Sequence, residues 1–203
     1  MKILIISIPR SGSTTLIRTL SKMLKLKAIH EPFNESIYKD LQLDTLLVDA
    51  VKNLPKDAVV VKSLISINIT NWKNFFKGYS KLFDKVILLS RTTKDASESF
   101  AYQQTKNETK SPNWHHRWRY PEDGFSENEI GRWTKWMVKT KKNLKILSKE
   151  LNIEIDWYED IYSGDKKKIT KFLNKHKLDL DISKFSEWVN PKYRLRQFKK
   201  TII

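Results

Sequence analysis

The stretch Ile8-Pro9-Arg10-Ser11-Gly12-Ser13-Thr14-Thr15-Leu16 follows directly on the apolar run Ile3 to Ile6 and opens a segment of helical periodicity. This pattern predicts a strand, a tight turn and a helix N-terminus. The first backbone N–H groups of such a helix have no intrahelical partner, the macrodipole is positive at that end, and Gly12 permits a positive φ or a close approach. Arg10 and the hydroxyls of Ser11, Ser13, Thr14 and Thr15 add side-chain donors, so the turn is predicted to hold an anion. It departs from the ATP-binding pattern G-x-x-x-x-G-K-[ST], having no second glycine and no Lys-Ser/Thr pair in that register. The bland alternative is an ordinary strand-to-helix turn with a serine N-cap, which needs only one hydroxyl.

Around this turn, 203 residues suit one well-buried domain, taken as 1–203. Hydrophobic residues at 39% and aromatics at 11%, with seven Trp, supply a core, while 31% charged residues keep the surface polar. No apolar run approaches the roughly 20 residues that span a bilayer, and Met1 to Ile8 lacks the length and cleavage-site pattern of a signal peptide. The absence of cysteine leaves no disulfide framework and no thiolate chemistry, which fits a reducing compartment. A cytoplasmic location is the expectation.

A net charge of +16 favours polyanions or anionic substrates. Of the 39 basic residues, however, 31 are lysine, a bias that genomic base composition also produces. Runs such as Lys139-Thr140-Lys141-Lys142 and Lys166-Lys167-Lys168 are therefore read as solvated helix faces, and the few arginines carry more weight.

Apolar, β-rich runs alternate with helical segments along the chain. Candidate strands are Lys2 to Ser7, Leu26 to His30, Ala58 to Ser63, Lys85 to Ser90 and Ile153 to Trp157. Leu16, Leu20, Met23 and Leu24 recur at helical spacing, as do Leu43, Leu46, Leu47, Ala50, Val51 and Leu54. Such alternation predicts an α/β fold with a central parallel sheet of about five strands flanked by helices, with ligands at the carboxyl ends of the strands. Val59 to Val61 and Val86 to Leu89 suit strands buried on both faces, at the sheet's centre. A long helix is predicted from about Glu127 to Leu151. Before it, Lys106 to Phe125 mixes aromatic and basic residues with Pro112, Pro121 and Gly124 and reads as a long loop or lid. Within it, Trp114 to Tyr120 could stack a sugar or aromatic acceptor, although such aromatics more often anchor a loop to the core.

The strand Lys85 to Ser90 ends in Arg91, and Ser99 stands eight residues further on. An arginine there, with a serine about two turns along the next helix, can hold a second phosphate. The plain alternative is an arginine at a sheet edge and a serine on a solvent face.

Together the two motifs resemble the sulfotransferases that use 3'-phosphoadenosine-5'-phosphosulfate (PAPS). Pro9 to Thr14 looks like the family's 5'-phosphosulfate loop, P-[KR]-S-G-[ST]-[ST], and Arg91 with Ser99 looks like its 3'-phosphate motif. Trp157-Tyr158-Glu159-Asp160-Ile161, followed by the helix Lys166 to Asn174, is similar to the family's Y-E-D-[LM] segment. The resemblance covers roughly Met1 to Asn174. It implies a P-loop-like nucleotide-binding architecture, PAPS as donor with PAP as product, and Arg10, Ser11, Gly12, Ser13, Thr14, Thr15, Arg91, Ser99 and Tyr158 as donor-binding residues, Tyr158 near the adenine.

The match has departures. Cytosolic members carry a catalytic histidine two residues after a lysine ending the third strand, but Lys62-Ser63-Leu64 has leucine there. Carbohydrate-type members carry a glutamate after the second strand, and His30-Glu31-Pro32-Phe33 looks like that. Glu31 thereby becomes the expected general base, with His30 in reserve, and Arg10 and Lys62 would stabilise the transferring group. A surface ion pair for Glu31 and a solvent-reaching role for Lys62 are the plain alternatives. The family's C-terminal basic glycine loop is not recognisable, though Lys192, Arg194 and Arg196 could serve the 3'-phosphate.

Sulfuryl transfer in line between two oxygens needs positioning and charge stabilisation, as phosphoryl transfer does. No metal-ligand cluster stands out in the sequence, which suits a metal-independent site. The expected activity is transfer of the sulfuryl group to a hydroxyl on a carbohydrate-like or small-molecule acceptor, with no specific nucleic acid partner. The rivals are a P-loop kinase-like phosphotransferase, requiring Mg²⁺ and ATP, and a non-catalytic polyanion-binding protein, whose binding would weaken evenly with salt.

Overall fold

Residues Ile3, Leu4, Ile5 and Ile6 are all fully buried, which an apolar strand achieves only when both faces of its sheet are covered. In the computed structural model, which describes residues 1–33, 43–65, 71–94, 96 and 127–189, this strand, β1 (Lys2–Ser7), is the middle of five. The others are β2 (Lys27–His30), β3 (Val59–Leu64), β4 (Lys85–Ser90) and β5 (Ile155–Trp157). They form one sheet in the order β2-β3-β1-β4-β5, and every pairing is parallel. The runs Val59 to Val61 and Val86 to Leu89 thus flank β1, at the centre, as the sequence predicts.

Helices cover both faces. On one side Ile3, Ile5, Val60, Ile87 and Leu89 pack with Leu16, Ile17 and Leu20 of α1 (Ser13–Met23), with Ile169, Phe172 and Leu173 of α6 (Lys166–Lys175), and with Phe185 and Val189 of α7 (Ile182–Val189). On the other, Leu4, Ile6, Val59, Val61 and Leu88 meet Ala50 of α2 (Leu43–Asn53) and Phe75, Phe76 and Tyr79 of α3 (Trp72–Tyr79). Met137, Leu144 and Leu147 of α4 (Glu127–Leu151) complete that face. Alternate residues of each strand serve opposite layers, as a period of two requires. A single helical turn, α5 (Tyr158–Ile161), follows β5 directly.

The predicted strands stand within two residues of the observed ones; β5 starts at Ile155 because Ile153 closes the end of α4, its N–H donating to the Ser148 carbonyl at 3.0 Å. Neither α3 nor α7 is among the elements expected from the sequence.

Connectivity selects one part of the sheet rim. From β1 the chain travels through α1 to β2 at one edge, whereas β4 is succeeded by β5 at the opposite edge. Crossovers that diverge in this way open a crevice at the carboxyl ends of β1 and β4, the usual ligand position in open parallel sheets. Among the described residues no helix is long and apolar enough to cross a membrane.

Candidate functional site

The predicted turn after β1 is built on two left-handed residues. Arg10 has φ 62° and Gly12 φ 79°, and α1 begins at Ser13. Gly12 is the N-cap, so no side chain caps the first turn of α1; its carbonyl instead accepts from Thr15 N–H at 2.8 Å and Leu16 N–H at 3.1 Å. Ser11, fully buried, donates its hydroxyl to the Ile8 carbonyl at 2.8 Å and so braces the turn internally. Ser13 and Thr15 are buried at the start of α1.

Left-handed backbone costs a residue other than glycine about 1–2 kcal/mol and needs a cause. Among the described residues five such positions occur, and Lys25, Asn152 and Lys177 simply end α1, α4 and α6. Their helices close with six-to-one bonds, such as Leu26 N–H to the Ser21 carbonyl at 2.8 Å and Leu178 N–H to the Leu173 carbonyl at 2.9 Å. The remaining two, Arg10 and Glu31 (φ 49°), lie at the carboxyl ends of β1 and β2. Both are expected site residues.

Glu31, Lys62 and Thr14 form one line across the strand ends. Lys62, in β3 opposite His30 of β2 and Ile5 of β1, shares the α1 face with Val60 and is 6% exposed. Its ammonium pairs with the Glu31 carboxylate and donates to the Thr14 hydroxyl at 3.0 Å. The Glu31 N–H donates to the Lys62 carbonyl at 2.7 Å, which extends the ladder by one bond and fixes where the carboxylate leaves the sheet. A buried ammonium requires such partners. His30 lies beside this pair with its ring partly buried, and that burial, followed by the charges of Lys62 and Arg18 and opposed by Glu31, holds its pKa below the ordinary imidazole value. Leu64, in the position where a histidine was considered, packs against the apolar layer instead.

Arg91 leaves β4 and returns to the turn. Its Nη1 donates to the Arg10 carbonyl at 3.1 Å, and its guanidinium lies over the Tyr158 ring, 4.3 Å from the centroid. Arg91 Nε is buried without a hydrogen-bond partner among the described residues. Tyr158 stacks on Tyr162 at 4.3 Å, and the Tyr162 hydroxyl donates to the Gly12 carbonyl at 2.6 Å. A Cβ on Gly12 would fall 2.7 Å from Tyr158 Cδ2 and 2.9 Å from Tyr162 Cζ, so the close approach that Gly12 permits is taken up by these two rings.

A third cluster borders Arg91. Thr92 N–H donates to Glu159 Oε1 at 2.8 Å, and Lys141 of α4 donates to the Thr93 hydroxyl at 3.1 Å while lying 5.0 Å from the centre of the half-exposed Trp157 ring. Burial lowers the Lys141 pKa, against the raising effect of Glu159; Lys145 lowers it further.

The structure therefore brings Arg10, Ser11, Gly12, Ser13, Thr14, Thr15, Glu31, Lys62, Arg91 and Tyr158 to one rim of the sheet. Ser99, Lys192, Arg194, Arg196 and the loop 106–125 lie outside the described residues. Tyr162 was not among the residues expected at the site, Glu159 entered only as part of the Y-E-D segment, and Lys141, expected on a solvated helix face, instead turns in to the Thr93 hydroxyl. Tyr162 stands four residues beyond Tyr158, a spacing that brings the two rings together once the segment forms a helical turn. No group of three or more metal-ligating side chains occurs among the described residues. No family model matches the chain, and no curated protein matches it in sequence.

Proposed function

We propose that this chain is a PAPS-dependent sulfotransferase with a P-loop-like nucleotide site, acting on a hydroxyl of a carbohydrate-like or small-molecule acceptor. One observation carries the reading: the two anion motifs, 81 residues apart in sequence, meet through the bond from Arg91 to the Arg10 carbonyl. A donor with phosphates at both ends of its ribose needs two such motifs side by side. The residues suit the group, because the first turn of α1 has no side-chain cap, Lys62 presents a cation beside it, and Arg91 Nε has no hydrogen-bond partner among the described residues.

PAPS, when bound, supplies the activated sulfuryl group. The N–H groups opening α1, with Arg10, would hold the 5'-phosphosulfate, and Arg91 would serve the 3'-phosphate. Glu31 would accept the proton of the attacking hydroxyl as the new S–O bond forms and the bond from sulfur to the 5'-phosphate oxygen breaks, releasing PAP. Lys62, bonded to both Glu31 and Thr14, keeps that carboxylate oriented and counters the negative charge released on the 5'-phosphate.

Calorimetric titration of PAP into wild type, Arg10→Ala and Arg91→Ala tests the reading. Saturable binding by wild type, weakened in both variants, is expected. No affinity for PAP or PAPS in wild type overturns it, and tighter binding of MgATP than of PAP transfers the site to the phosphotransferases.

A further inference from the structure

We infer that Tyr162 is a positioning residue for the anion-binding turn: its hydroxyl, donated to the Gly12 carbonyl at 2.6 Å, aims the first free N–H of α1 at the ligand. The inference rests on the reading of this turn as the donor site. A peptide group is planar and trans, so its C=O and the following N–H point in opposite directions. Fixing the Gly12 carbonyl therefore fixes the Ser13 N–H, which belongs to the unpartnered set at the helix N-terminus. By the same rule Arg91, donating to the Arg10 carbonyl at 3.1 Å, fixes the Ser11 N–H.

Both left-handed residues of the turn are thus held by their carbonyls from outside it. The two holders are joined. Tyr158 and Tyr162 emerge four residues apart from α5, with their rings stacked at 4.3 Å, and the Arg91 guanidinium lies over Tyr158 at the same distance. Both groups thus pack directly against the Tyr158 ring. The ring is then a spacer between Tyr162 and Arg91, and Tyr162 is 9% exposed, packed where a Cβ on residue 12 would sit. The Gly12 carbonyl already takes Thr15 N–H and Leu16 N–H, so the phenol is a third donor that the helix itself does not require. Its distinct contribution is orientation.

Tyr162→Phe keeps the ring stack and removes the phenolic donor, leaving the Gly12 carbonyl with its two helical donors. PAP and inorganic pyrophosphate are titrated into wild type and variant, with thermal unfolding of both measured in parallel. Loss of one oriented hydrogen bond predicts about three- to tenfold weaker binding of each anion, with little change in Tm. Equal affinities in the two proteins overturn the inference and leave the sulfotransferase reading intact. So does a large fall in Tm with unchanged affinity below it, which marks a purely structural bond. If wild type binds pyrophosphate but not PAP, and Tyr162→Phe binds it more weakly, the inference stands and the sulfotransferase reading falls. If wild type binds neither anion, both fall.

Discussion

Lys62 and Thr14, 48 residues apart in sequence, are joined by a 3.0 Å bond from ammonium to hydroxyl that ties the carboxyl end of β3 to the first turn of α1. The same ammonium carries the Glu31 carboxylate. Glu31, the proposed general base, and the turn opening α1 are thereby fixed to one another through a single buried cation.

Glu31→Gln is expected to keep PAP binding within a few-fold of wild type and to reduce sulfuryl transfer by about 10²- to 10⁴-fold, the usual contribution of a general base. It also deprives the buried Lys62 of its counter-charge, so unfolding free energy should fall by about 1–3 kcal/mol. Steady-state transfer to an accepted hydroxyl, paired with urea denaturation, separates the two effects; undiminished turnover would move the base elsewhere.

Gly12→Ala should destabilise the fold by about 2–5 kcal/mol, since it adds left-handed strain to a collision with two aromatic rings. The new Cβ would lie 2.7 Å from Tyr158 and 2.9 Å from Tyr162. The denaturation midpoint should drop with an unchanged slope. A loss below about 1 kcal/mol would mean that the rings retreat easily.

His30 should titrate below the ordinary imidazole value of about 6.5, because burial, then Lys62 and Arg18, disfavour its charged form. Below that value the unfolded chain binds more protons than the fold, so this residue makes stability fall as pH drops until its folded pKa is passed. Lys62→Met, which removes the charge at similar length, should move the His30 midpoint upward in an NMR titration. An unmoved midpoint would leave burial and the Arg18 charge as the causes.

Asp156→Asn tests a buried pair remote from the turn. Asp156 of β5 accepts from Lys175 at 2.9 Å and meets His176 Nε2 at 2.7 Å, fastening the edge strand to the end of α6. A loss of about 1–3 kcal/mol in unfolding free energy is expected, with PAP affinity unchanged. A substantial loss of affinity in folded protein would show that β5 transmits to the site.

Much of the fold was legible because the three central strands carry near-continuous apolar runs and the helices do not. Ile3 to Ile6, Val59 to Val61 and Val86 to Leu89 demand burial on two faces, and two-sided burial places them mid-sheet. Gly12 and Arg10 announced the turn through residue type alone. The Glu31–Lys62 pair was only half readable: each residue stood at a strand end, but their partnership depends on β2 lying beside β3, which is a matter of strand order. Tyr162 and Lys141 were hidden for a similar reason, since each acts through a contact between elements distant in sequence. The helix α3 eluded periodicity because its eight residues give barely two turns of pattern.

The bond from Tyr162 to Gly12 spans 150 residues, so it has a bearing on how the protein is made. At about 5–20 residues per second, ribosomal synthesis needs roughly 8–30 s to bring the second tyrosine out after the glycine. Throughout that interval the nascent turn lacks its far anchor, and the strands β1 to β4 can pair before it is secured. The proposed nucleotide binding should accordingly emerge as one of the last events of maturation, after most of the sheet has formed. Chains halted before residue 158 would be expected to carry the loop sequence without the capacity to hold its ligand firmly.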